Sequence, residues 1–206
     1  MDEKKDFYYY IKDQFMYGGK KYALAGNSLR ESTDDLFDDF GKNWLIGTLG
    51  KYIMRFKNVA REKDILKIAN YMYIIWLKRG FYIDDKRIAP IDTNLENKAD
   101  NFDTFLNRFT EYNNNIEKIT VKLFKTDAEV SGDEEAIKIL NTQALDSVYD
   151  LLKKIAWQEW TDLQESRIFD IFRAMRIMWN RNFGHKEEHD LDTYNEEKNE
   201  RRTTSW

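Results

Sequence analysis

The chain has 206 residues, with one proline, nine glycines and no cysteine, and 34% of it is charged, 15% aromatic and 42% hydrophobic. The lack of cysteine excludes disulfides, thiolate zinc sites and cysteine nucleophiles, and it fits a reducing compartment, so a cytoplasmic location is expected. A formal charge of −4 supplies no global basic field for nucleic acid, although a local patch is compatible with it. No apolar run reaches the roughly 18 residues needed to cross a bilayer, so no membrane partner is expected, and Met1-Asp2-Glu3-Lys4-Lys5-Asp6 does not read as a signal peptide.

A single proline over this length predicts long helices, and the expected fold class is an all-α helical bundle, in one domain or in two lobes that share a core. The first helix, over 2–16, carries Phe7, Tyr8, Ile11 and Phe15 at helical spacing and is expected to stop at Gly18-Gly19. After a loop through Gly26-Asn27-Ser28, Ser32 or Thr33 caps a helix over 32–40 that Gly41 ends. A helix over 44–57 places Leu45, Leu49, Tyr52, Ile53 and Phe56 on one face, with Thr48, Lys51 and Arg55 opposite. The next, over 61–79, is apolar around most of its circumference (Ile65, Leu66, Ile68, Ala69, Met72, Ile74, Ile75, Trp76, Leu77), which marks it as central.

The stretch 81–95, with Pro90, reads as a linker between an N-terminal unit (1–80) and a C-terminal unit (96–184). In the latter, helices are expected over 96–125, 133–160 and 161–183. Residues 185–206 lose the periodicity and read as a polar tail.

Five groups of residues carry candidate chemistry. Glu31, Asp34, Asp35 and Asp38 fall within about 100° of one helical arc. Mutual repulsion there would be relieved by an oxygen-preferring ion such as Mg²⁺; the plainer reading is a solvated first turn favoured by the helix dipole. Lys51 and Arg55, one turn apart, suit a phosphate, or they neutralise the acidic helix across a helical hairpin. Asp64, Lys67, Asn70 and Tyr71 share an arc of the apolar helix. Asp64 and Lys67 either satisfy each other at i,i+3 or serve a ligand, with Asp64 on a metal, Lys67 on a phosphate and Asn70 on a base or sugar. His185 and His189 stand at metal-binding i,i+4 spacing, but in a polar stretch. The stripe of Phe169, Phe172, Met175, Met178, Trp179 and Phe183 reads as core or subunit interface. Arg167, Arg173, Arg176 and Arg181, with Arg201-Arg202, argue modestly for an acidic partner.

Lys51-Tyr52-Ile53-Met54-Arg55-Phe56-Lys57 followed by Glu62-Lys63-Asp64-Ile65-Leu66-Lys67-Ile68-Ala69-Asn70-Tyr71 resembles small phage-encoded helical proteins with a KYxxRxxxK helix and then an EDLxKAxxY helix. The same region, with Tyr17-Gly18-Gly19-Lys20-Lys21-Tyr22, is similar to the all-α nucleotide pyrophosphohydrolases of the MazG and dimeric dUTPase type. The resemblance covers residues 17–79. It implies Mg²⁺ held by Glu31, Asp35, Asp38 and Asp64, with Glu31, Asp35 and Asp64 catalytic, and phosphate contacts from Lys51 and Arg55. Those enzymes carry a second acid three residues after the first in the second helix, where Lys67 stands here. That departure leaves a one-metal enzyme, a nucleotide binder without hydrolysis, or no site.

Two functions are therefore expected: Mg²⁺-dependent NTP or dNTP binding or pyrophosphohydrolysis, or a non-enzymatic helical interaction module whose acidic surface meets a basic partner or a second copy of itself.

Overall fold

A computed structural model describes residues 5–24, 27–79, 81–83, 86–88, 95–120, 134–157 and 162–186, with side chains described over 5–15, 44–76, 102–115, 141–155 and 165–186. The protein is an all-α bundle. Six helices lie among the described residues: α1 (Phe7–Tyr22), α2 (Ser32–Val59), α3 (Glu62–Arg79), α4 (Leu95–Thr120), α5 (Glu134–Trp157) and α6 (Asp162–Asn182). Two short antiparallel hairpins interrupt them, β1 (Ala23–Leu24) with β2 (Asn27–Glu31) and β3 (Phe81–Ile83) with β4 (Lys86–Ile88).

Local chemistry explains the boundaries. Asp6 caps α1: its Oδ1 accepts the Tyr9 amide at 3.0 Å, satisfying one of the donors a helix start leaves over, and its carbonyl accepts the first intrahelical bond, from the Tyr10 amide at 3.2 Å. The expected stop at Gly18-Gly19 does not occur, and α1 runs through to Tyr22. Gly41 does not end a helix either, so α2 continues from Ser32 to Val59 in one piece. Glycine permits a helix end without enforcing one: in a helix interior it costs only about 1 kcal/mol relative to alanine. The 81–95 stretch, expected as linker, holds the β3–β4 hairpin.

Helix α3 sits at the centre. Ile65, Leu66, Ile68, Ala69, Met72, Tyr73, Ile75 and Trp76 are all buried, because α3 packs against α6 most extensively and also against α2, α1 and α4. The stripe Phe169, Phe172, Met175, Met178, Trp179 and Phe183 on α6 is core, as its spacing indicated. One cluster of buried side chains joins residues from Phe7 to Phe183. Within it Phe172 joins α1, α4 and α6, meeting the rings of Phe7 at 5.5 Å and of Phe105 and Phe109 at 4.9 Å, each edge-on, the geometry that the ring quadrupole favours.

Polar side chains tie the helices where apolar contacts alone leave register loose. The Trp179 indole donates to Glu62 at 2.7 Å. The Trp76 indole donates to Glu165 at 2.9 Å, and Arg108 reaches both oxygens of the same carboxylate at 2.8 and 2.6 Å. Tyr112 donates to Asp170 at 2.8 Å. Burial pushes the Asp170 carboxyl above the usual carboxylate range, against the opposing pull of Tyr112 and Arg173. Burial, then the bond to Asp170, pushes the Tyr112 phenol up. Among the described residues no helix is long and apolar enough to cross a membrane.

Three outcomes follow from this packing. Phe172→Ala is expected to cost about 3–5 kcal/mol in urea unfolding, the range for emptying a buried aromatic site. Met54→Ala, at a side chain 62% exposed, should stay within about 0.5 kcal/mol. For Asp170, a folded pKa above the unfolded one means the native state holds its proton more tightly, so this group's contribution falls as pH rises through the raised value. Wild type should therefore lose stability relative to Asp170→Asn as pH rises from the ordinary aspartate value of about 3.9 through the raised one. A flat difference in urea midpoint over that window would contradict the assignment.

Candidate functional site

The α2–α3 hairpin is set by its turn. Ala60 adopts φ 51°, and its amide reaches back to the Phe56 carbonyl at 2.8 Å while the Asp64 amide donates to the Arg61 carbonyl at 3.0 Å. A left-handed residue just past a helix end is the usual way to satisfy its last carbonyls, and alanine there carries a steric cost of about 1–2 kcal/mol. The turn brings the last turns of α2 beside the first turns of α3.

That alignment joins Arg55 to Asp64. The Asp64 carboxylate is fully buried and the Arg55 side chain is one-third exposed. Arg55 Nε donates to Oδ2 at 2.7 Å and its terminal NH2 donates to Oδ1, the two-pronged geometry a planar guanidinium supplies. The bond to Asp64, against the opposing effect of burial, pushes the Arg55 guanidinium further up, so it stays charged. Local spacing had suggested Lys67 as the partner of Asp64; the structure uses a residue from the preceding helix.

Three cations then converge on one ring. Lys51 Nζ lies 5.2 Å, Arg55 Cζ 5.3 Å and Lys67 Nζ 5.2 Å from the centroid of Tyr52, all within cation–π range. Tyr52 is buried and continues an aromatic row: Tyr71 lies 6.1 Å from it, and Trp44 5.8 Å from Tyr71. Trp44 and Tyr71 are half-buried. Asn70, one turn beyond Lys67 and also half-buried, keeps its Oδ1 out of solvent and without a hydrogen-bond partner among the described residues.

The expected site residues divide accordingly. Lys51, Arg55, Asp64 and Lys67 come together around Tyr52, with Asn70 next to them in sequence on α3. Asp35 and Asp38 do not join them: they lie on the same helix as Arg55, twenty and seventeen residues earlier, about 30 and 25 Å along its axis at 1.5 Å per residue. The acidic and basic segments thus share one helix and do not oppose each other across a hairpin. Glu31 closes strand β2 and stands outside the helix that carries Asp35 and Asp38. The side chains of Glu31, Asp34, Asp35 and Asp38, like His189 and Arg201-Arg202, lie outside the described residues.

Elsewhere, His185 is exposed in the turn after α6. Arg173 is buried, and Arg176 donates to the Tyr8 hydroxyl at 2.8 Å and lies 5.6 Å from the Phe109 ring. Those arginines are built into helix packing. A cleft of about 360 Å³ between the start of α1 and the end of α6 is lined by Lys5, Asp6, Tyr8 and Arg176, among others. Among the described residues no three carboxylates or histidines stand close enough together to hold a metal ion.

The sequence does not single out Tyr52 and Trp44 as parts of the candidate site, and it groups Tyr71 with Asp64, Lys67 and Asn70 without a role. Tyr52 was assigned to the apolar face of its helix, correctly as to burial. The available signal was a tyrosine flanked by Lys51 and Arg55, with Lys67 and Tyr71 one turn apart on the next helix. The chain matches no family model, no curated protein and no solved structure.

The Arg55–Asp64 pair should respond asymmetrically to substitution. Arg55→Gln strands a fully buried carboxylate and is expected to cost about 2–4 kcal/mol, below the usual range for a broken buried pair because Arg55 is partly solvated. Asp64→Asn leaves a cation with access to water and should cost about 1–2 kcal/mol. Equal losses in urea unfolding would show that the carboxylate is solvated in solution.

Proposed function

We propose that this protein binds a nucleotide on the exposed edge of the α2–α3 hairpin, with its phosphates on Lys51, Arg55 and Lys67 and its base and sugar toward Tyr71, Trp44 and Asn70. The observation that carries this reading is the convergence of three cations within 5.2–5.3 Å of one tyrosine ring, one of them, Arg55, paired with the buried carboxylate of Asp64. Three like charges held this close repel each other, and a polyanion relieves that repulsion more completely than one carboxylate does. The aromatic row extends from the cations as far as Trp44, seven residues or about 10 Å of helix axis from Lys51. That reach suits a ligand with phosphates at one end and a planar group at the other. The acceptor Asn70 Oδ1 is one that a base or sugar donor would satisfy.

Binding needs only groups that are described. Pyrophosphohydrolysis asks more: a carboxylate set, drawn from Glu31, Asp35 and Asp38, able to hold Mg²⁺ and activate water. A non-enzymatic interaction module is the second reading, and it draws on Met54 and Val59, apolar residues of α2 that are 62% and 58% exposed.

Isothermal calorimetry with a panel of NTPs and dNTPs tests the first reading. Binding should weaken as salt rises. Lys51→Ala and Lys67→Ala should each lower affinity about tenfold, the loss of one charge-assisted contact, with helical circular dichroism unchanged. If no nucleotide binds and none raises the melting temperature, the nucleotide reading is wrong and the interaction module takes its place.

A further inference from the structure

We infer that the Tyr52 site takes its phosphate ligand free of divalent metal, and that Asp64 serves as a positioning residue for Arg55 and not as a magnesium ligand. This rests on the proposed nucleotide reading and adds the form in which the ligand is bound. The Mg²⁺ implied by the resemblance to the helical pyrophosphohydrolases can be tested against the residues at Asp64, and they do not fit it. Mg²⁺ demands near-octahedral oxygen coordination and usually keeps several waters. The Asp64 carboxylate is fully buried, which leaves no room for those waters, and each of its oxygens already accepts a guanidinium N–H of Arg55. A divalent ion placed on it would also stand beside Arg55, with Lys67 three residues along the same helix.

The cations meanwhile supply what the metal would. Lys51, Arg55 and Lys67 lie within 5.2–5.3 Å of the Tyr52 ring, and Arg55 is bonded to the buried Asp64. Phosphate oxygens are neutralised there by N–H donors, and the planar fork of Arg55 has its orientation fixed by Asp64 before a ligand arrives. Chelation by Mg²⁺ removes two negative charges from a triphosphate, so the chelated form is attracted less strongly to such a face.

The test is calorimetric titration of the full chain with ATP and GTP, once in metal-stripped buffer and once in excess Mg²⁺ at matched ionic strength. The expected result is binding in the metal-free buffer that weakens at least threefold in Mg²⁺. Binding seen only with Mg²⁺ would overturn the inference and leave nucleotide binding in place; no binding in either buffer would remove both. Asp64→Asn, followed by the same pair of titrations, separates the two roles of the carboxylate. As a positioning residue its loss lowers affinity by a similar factor in both buffers. A loss confined to the Mg²⁺ buffer identifies a metal ligand and overturns the assignment. Should Asp64→Asn fail to fold, the wild-type comparison still decides the question, with Arg55→Lys as the second variant. Lysine keeps the charge but not the fork, and affinity should fall in metal-free buffer.

Discussion

A carboxylate removed from water needs a cation beside it, and much of the α2–α3 hairpin is arranged around that requirement at Asp64. An unpaired ion in that position would cost several kcal/mol, so Arg55 has to be delivered to it by the neighbouring helix. Delivery fixes the hairpin: α2 must end near Val59, the chain must reverse at Ala60, and α3 must start with Asp64 in its first turn. Once Arg55 is held from the α3 side, its flat face lies near Tyr52, and Lys51 and Lys67 complete the ring of charge from the two helices. A buried ion pair is weak evidence for stability. Its contribution here is orientation.

The rest of the bundle makes that hairpin rigid. Helix α3 is buried along most of its described length, so it has only a narrow strip to present to solvent, and Lys63, Lys67, Asn70, Tyr71 and Ile74 are the half-buried residues on it. Opposite that strip α6 supplies an aromatic wall, and indole and carboxylate bonds such as Trp179 to Glu62 and Trp76 to Glu165 lock the helices in register. Apolar contact favours burial without direction; these directed bonds decide which faces turn inward. The exposed strip is what remains after both demands are met.

Much of this was legible in the residue order. The spacing of Ile65, Leu66, Ile68, Ala69, Met72, Ile75 and Trp76 marks a central helix, and Arg79 ends it as expected. Phe169 to Phe183 reads as core and is core. The hairpins β1–β2 and β3–β4 were not legible, because segments of two to five residues carry too little periodicity. Gly18-Gly19 and Gly41 misled, since a permissive residue resembles a terminator until neighbouring helix formers are weighed against it. At the site, the residue types Lys51, Arg55, Asp64 and Lys67 were recognisable, but their pairing was not. Asp64 has a suitable cation on its own helix and another across the turn, and only tertiary packing selects between them. Tyr52 was legible as buried but not as a centre, because a ring's role under three cations depends on two helices at once.

The turn at Ala60 and Arg61 carries a further implication for how this chain tolerates change in length. Exposed turns are ordinarily where insertions are absorbed most easily, because lengthening a loop adds little entropy cost. Here two residues separate α2 from α3, and the pair they align is only nine positions apart. An added residue would leave both helices and their apolar stripes intact while moving Arg55 away from the carboxylate it neutralises. The usual map of permissive and forbidden sites is therefore inverted at this point: a surface turn of ordinary composition is among the places where the chain has no slack.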